Sequence, residues 1–169
     1  MRIAVTGTPG VGKTTAARRL ADERSTPHFN VTERVREGAS VGYDDDRDAP
    51  VADTDALLDA VPEDAVVDGH ISHRLEPDYV VVLRCAPGVL RPRLAERGWN
   101  DAKVEENAEA EALDIIAAEA FGVGAPVFEF DTTDAAPDGT VERVARAVED
   151  REERVGTVDW SLPPAGGAP

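Results

Sequence analysis

Eight residues near the start of the chain, Gly7-Thr8-Pro9-Gly10-Val11-Gly12-Lys13-Thr14, restrict its fold more than any other segment. They match G-x-x-x-x-G-K-[ST], follow a short apolar run from Arg2 to Thr6, and open a helical segment that reaches about Arg24. A glycine-rich turn between a strand and a helix lets backbone N–H groups converge on phosphate oxygens, and the helix N-terminus adds partial positive charge. In that setting Gly10, Gly12 and Lys13 are candidate phosphate binders, with Lys13 reaching the β and γ phosphates, while the Thr14 hydroxyl is a candidate magnesium ligand.

The remainder of the chain repeats the strand–helix alternation. His28 to Val31 is expected to be a second short strand, followed by a charged helical piece at about 32–38. Residues 39–52 carry four acids and Gly or Pro breaks without helical period, so a loop or small lid is expected there. A helix at about 53–61 precedes Ala65–Asp68 and Tyr79–Cys85, continuous apolar runs of the kind found in parallel strands covered on both faces. Helices are expected at about 88–97, 101–121 and 138–151, with a last strand at Val127–Asp131 between the final two. Pro92 makes the start of the first of these uncertain. The pattern predicts an α/β fold, a P-loop NTPase with a doubly wound, five-stranded parallel sheet and helices on both faces. Residues 152–169 turn acidic and then Pro- and Gly-rich, which predicts a poorly ordered tail behind a single domain of about residues 1–151.

Composition limits the partners. The 169 residues hold 34 acids against 18 basic residues, a formal charge of -16. Extended nucleic-acid binding through Lys and Arg patches is therefore not expected. Only two of the basic residues are lysines, Lys13 and Lys103, and the composition looks like that of proteins from salt-in halophiles, although an acidic surface for a basic partner gives the same count. The scarcity of lysine singles out Lys13, since a compact point charge fits inside a loop where a guanidinium does not. The one cysteine, Cys85, ends an apolar run and reads as buried core in a reducing, cytoplasmic setting, and no secretory or membrane-spanning segment is expected.

Five further positions carry candidate chemistry. Asp68 ends the run Ala65–Asp68, where an acid beside a phosphate-binding loop can hold magnesium directly or through water. His70, two residues on, can position an attacking group near the γ-phosphate. Arg93 and Arg97 share a helix face ahead of Gly98 and can neutralise a transferring phosphoryl group. Arg36 stands beside the expected lid, where it can hold the anion of a second substrate. His73 and His28 have no such support. The sequence lacks an Asn-Lys-x-Asp segment and a Cys cluster, which speaks against a guanine-specific switch GTPase and a zinc-bearing lid.

Five segments in order, TGTPGVGKTT, FNVTERVRE, GYDDDRDAPVADTD, VDGH and LRPRLAERGWNDAKVEENAEAE, resemble archaeal adenylate kinases of the isoenzyme-six type. The resemblance implies a nucleoside-monophosphate lid at about 29–52 and a second lid at about 97–107. It implies that Gly10, Gly12, Lys13, Thr14 and Thr15 bind ATP, that Arg97 is a lid arginine touching ATP, and that Arg36 adjoins the monophosphate. Asp68 and His70 match the family's Asp-x-His pair, so Lys13, Asp68, His70 and Arg97 form the implied catalytic set, with Mg2+ on Thr14 and Asp68. Trp99 stands where Tyr is common. The implied activity is a nucleoside monophosphate kinase, with AMP the favoured acceptor, alongside ATP hydrolysis in small-subunit ribosome maturation with the platform protein uS-eleven as partner.

Overall fold

The computed structural model describes residues 1–45 and 49–160. Five strands form one parallel sheet: β1 (Arg2–Thr6), β2 (His28–Asn30), β5 (Ala65–Asp68), β6 (Tyr79–Arg84) and β7 (Val127–Asp131), in the order β2-β5-β1-β6-β7. The chain leaves central β1 for one side of the sheet, completes β2 and β5, then crosses to β6 and β7. The C-terminal end of β1 is therefore the switch point where a ligand crevice opens in such sheets.

Side chains alternate between the two faces, as the period of a strand requires. Ile3, Val5, Val81 and Leu83 pack with Leu20 of α1 (Lys13–Arg24), Leu90 and Leu94 of α4 (Pro87–Ala95) and Val144 and Val148 of α7 (Pro137–Asp150). On the opposite face Ala4, Val80 and Val82 meet α6 (Ile115–Phe121), and Val67 meets α2 (Val31–Arg36) and α3 (Thr54–Ala60). The doubly wound, five-stranded α/β arrangement expected from the sequence is the one observed.

Local departures have identifiable causes. The second strand stops at Asn30, whose side chain accepts the Glu33 N–H at 2.8 Å and so begins α2 at Val31. The segment expected as a loop or small lid carries a two-stranded antiparallel hairpin, β3 (Ser40–Asp44) with β4 (Ala49–Ala52); the part of that lid at 46–48 lies outside the described residues. The single helix expected over 101–121 is two helices, α5 (Asp101–Ala112) and α6, because Asp114 takes a left-handed conformation (φ 55) and turns its carboxylate inward to Arg84. Pro92 is accommodated inside α4, which starts at Pro87.

The tail also differs from expectation up to Trp160. Arg154 runs beside β7, accepting from Glu129 N at 2.7 Å and donating to Val127 O at 2.8 Å, while Thr157 N donates to the buried Glu129 carboxylate at 2.7 Å. An edge strand exposes unpaired backbone groups, and this segment satisfies those of β7. The packed body thus extends past residue 151 to 160.

Candidate active site

The phosphate-binding loop needs glycine for two reasons. At Gly7 (φ 135) a Cβ would fall 2.2 Å from the Leu83 carbonyl oxygen, and Gly12, the N-cap of α1, sits at φ 98. No side chain caps α1 and its first turn holds no acid, which leaves its N–H groups for an anion. Lys13 Nζ donates to Thr8 O at 2.9 Å, across the mouth of the loop. Desolvation, opposed mainly by the attraction of Asp68 and reinforced by Arg97, lowers its pKa to about 8.

Parallel pairing brings Asp68 beside the loop: Val5 of β1 and Asn30 of β2 are its register partners. Buried Asp68 uses both oxygens. Oδ2 accepts from Thr14 Oγ1 at 2.6 Å, and Oδ1 meets His28 Nε2 at 2.8 Å and Asn30 Nδ2 at 2.9 Å. A hydroxyl and a carboxylate at this separation suit magnesium, which binds through one or two protein oxygens together with water and phosphate oxygens.

His70 lies in the turn after β5, with its backbone carbonyl accepting from Thr6 Oγ1 at 3.2 Å. Its side chain opens to solvent; local desolvation and then the charges of Lys13 and Arg74 lower its pKa, which keeps the ring neutral at pH 7. His73 is buried instead, joining Thr6 Oγ1 (3.0 Å) to Glu119 Oε2 (3.2 Å), a structural contact.

Arg93 turns back onto the body. Its guanidinium donates to Thr132 O (3.3 Å) and Thr133 O (3.2 Å) and approaches the buried Cys85 Sγ at 3.4 Å. With Val11, Thr15, Pro137 and Thr140 it lines a cavity of about 270 Å³ beside the loop. Arg97, two residues past α4, is exposed, as is Arg36 in the last turn of α2, and neither makes an ion pair among the described residues. Thr14 and Asp68 are thus in direct contact, Lys13 beside Thr14 feels the charges of Asp68 and Arg97, the charge of Lys13 reaches His70, and Arg36 stands apart at the end of α2.

Several residues of the site had no support in the sequence. His28 and Asn30 were missed as partners of Asp68. A second set lies behind the loop: Thr8 Oγ1 donates to Glu111 Oε2 at 2.5 Å, Glu111 Oε1 accepts from Arg84 Nε at 2.7 Å, and Arg84 Nη1 donates to Glu129 at 2.8 Å. Trp160 Nε1 closes the set on Glu111 at 3.3 Å. The readable signal was a charge set among apolar strand residues, Arg84 in YVVVLRC and Glu129 between Phe128 and Phe130 in VFEFD.

The fold, the loop at the switch point and the adjacent acid define a P-loop NTPase. The family profile described as "AAA domain" matches residues 3–114. Archaeal proteins named "Putative adenylate kinase" are similar over nearly the whole chain. The one from Natronomonas pharaonis is 45% identical, covering 95% of this chain and 98% of that protein. That from Halobacterium salinarum is 47% identical with the same coverage, and that from Methanocaldococcus jannaschii is 40% identical, covering 95% and 93%. Two solved structures share the fold: Bacillus subtilis YorR in complex with phosphorylated GDP (TM-score 0.64, 18% identity, 89% of this chain and 97% of that one) and Acinetobacter baumannii shikimate kinase with shikimate (TM-score 0.65, 14% identity, 90% and 95%). The chain belongs to the AAA-domain family and, within it, to this archaeal group, which includes halophilic members as the composition suggested. Among the described residues no helix is long and apolar enough to cross a membrane.

Proposed function

We propose that the protein is a magnesium-dependent nucleoside monophosphate kinase of the isoenzyme-six type, transferring the γ-phosphoryl group of ATP to AMP. The observation that carries this reading is the contact of Thr14 with Asp68 at 2.6 Å beside Lys13, at the head of a helix that presents free N–H groups. It is joined by the relatives named for adenylate kinase. The AMP phosphate oxygen attacks Pγ, the bond from Pγ to the bridging oxygen breaks, and two ADP leave.

Each group has a defined task in this reaction. The Gly10 and Gly12 backbone and Lys13 cradle the phosphates of ATP, and Thr14 and Asp68 would hold magnesium, which supplies charge neutralisation on the phosphates when bound. Thr15, with Arg93, lines the adjoining cavity suited to the nucleoside part of ATP. Neutral His70 accepts or donates a hydrogen bond at the attacking oxygen, and Arg97 swings in with the lid at about 97–107 to face the transferring group. Arg36 on the lid at about 29–52 holds the acceptor phosphate. Lid closure excludes water, and incomplete closure lets water replace AMP, which is the basis of an accompanying ATPase activity.

A second reading makes hydrolysis the main activity, in small-subunit ribosome maturation with uS-eleven as partner. It is favoured by the net charge of -16, which suits a basic protein, and by the exposed Val41, Tyr43 and Val51 on the lid hairpin. At molar salt the screening length is about 3 Å, so such a partner must be held by close contacts. The test is ADP formation from ATP in molar salt with and without AMP or CMP, then with the ribosomal protein. The kinase reading expects monophosphate to accelerate turnover; unchanged turnover with monophosphate and acceleration by the partner transfers the assignment to the second reading.

A further inference from the structure

We infer that His28 is a positioning residue that fixes the Asp68 carboxylate for magnesium; this rests on the proposed nucleotide site. The two oxygens of Asp68 are used unequally. Oδ1 takes two donors from the same strand, His28 Nε2 at 2.8 Å and Asn30 Nδ2 at 2.9 Å, while Oδ2 faces Thr14 Oγ1 at 2.6 Å. With Oδ1 held on the β2 side, the carboxylate cannot rotate, and the free lone pair of Oδ2 stays directed at the loop.

The strand period and register produce this clamp. His28 and Asn30 are two residues apart and share one face of β2, opposite Val66 and Asp68 of β5. Their burdens differ. Asn30 also accepts the Glu33 N–H through Oδ1 at 2.8 Å, so its amide is shared between Asp68 and the start of the lid helix α2. His28, with 18% of its side chain exposed at the sheet edge, makes its side-chain hydrogen bond among the described residues to Asp68 alone. The Nε2–H donor is present in the charged ring and in one neutral tautomer, so the contact requires no change of charge. Partners that orient a metal-binding carboxylate change metal affinity by about 10- to 100-fold when removed.

The test is ADP binding by calorimetry at fixed molar salt, in magnesium and in EDTA, on the full chain. In His28→Phe the magnesium enhancement of ADP affinity should fall about 10-fold while the EDTA affinity stays within about twofold. His28→Gln, which can still donate to Oδ1, should recover most of the enhancement. Where His28→Phe lacks a cooperative melt, His28→Asn, too short to reach Oδ1, takes its place. An unchanged enhancement in the non-donating variant overturns the inference, as does an equal loss with and without magnesium, which marks a general structural role. Lys13→Ala is the separate control: if it leaves ADP binding intact, the nucleotide-site reading fails, whereas its loss together with a native-like His28→Phe sinks the clamp alone.

Discussion

Asp68 and Arg97 both act on Lys13 through their charge, yet they are held in opposite ways. Asp68 is buried with both oxygens hydrogen-bonded by Thr14, His28 and Asn30. Arg97 stands exposed just before Gly98 (φ 78), with no ion pair among the described residues, and Arg36 in the last turn of α2 is similar. On the proposed reading, the strand end is held by its own hydrogen bonds before ligand arrives, while Arg97 and Arg36 gain their partners only with it. Preorganised groups act on nucleotide and metal binding, and groups that move in late act on the transfer step.

Lys13→Ala, which removes the cation common to both ends, should show the largest loss, about 10³-fold in phosphoryl transfer, read by steady-state kinetics. Arg84→Met leaves Glu111 and Glu129 buried without their cation and should cost about 3–5 kcal/mol in urea unfolding at fixed salt. Arg97→Ala separates the ends most cleanly: kcat should fall about 10- to 100-fold with the KM for ATP little changed. A matching loss of ADP affinity in that variant would mean the lid arginine is already engaged in the open state.

The pH response should follow Lys13. With its pKa lowered to about 8 by desolvation, ADP affinity of the free protein should decline as pH rises through 8 and the ammonium loses its proton. Because the folded value lies below the unfolded one, the unfolded chain binds more protons between about pH 8 and 10.5, so this group makes the fold more stable as pH rises through that window. Flat ADP affinity from pH 7 to 9 contradicts the assignment of Lys13 to the phosphates. Smallest of all, Arg91→Ala removes the exposed contact to Glu105 that joins α4 to α5 and should change unfolding free energy by no more than about 0.5 kcal/mol.

The strand–loop–helix start and the apolar runs of β5 and β6 were legible because each follows from local pattern, and with them the positions of Lys13, Thr14 and Asp68. Contacts set by tertiary partners were not. The break at Asp114 depends on Arg84, thirty positions earlier in sequence, and helical periodicity continues across it. The ordered segment to Trp160 depends on an unpaired edge at β7 and a buried Glu129 seeking donors. His28 reads as an isolated histidine until the register of β2 on β5 places it two residues before Asn30 and against Asp68.

The fate of the γ-phosphoryl group tests the central claim most directly. With γ-labelled ATP, AMP and magnesium in molar salt, label should pass into ADP, with little released as inorganic phosphate, and Lys13→Ala should abolish the transfer. Label recovered as inorganic phosphate at the same rate with or without AMP would contradict that claim.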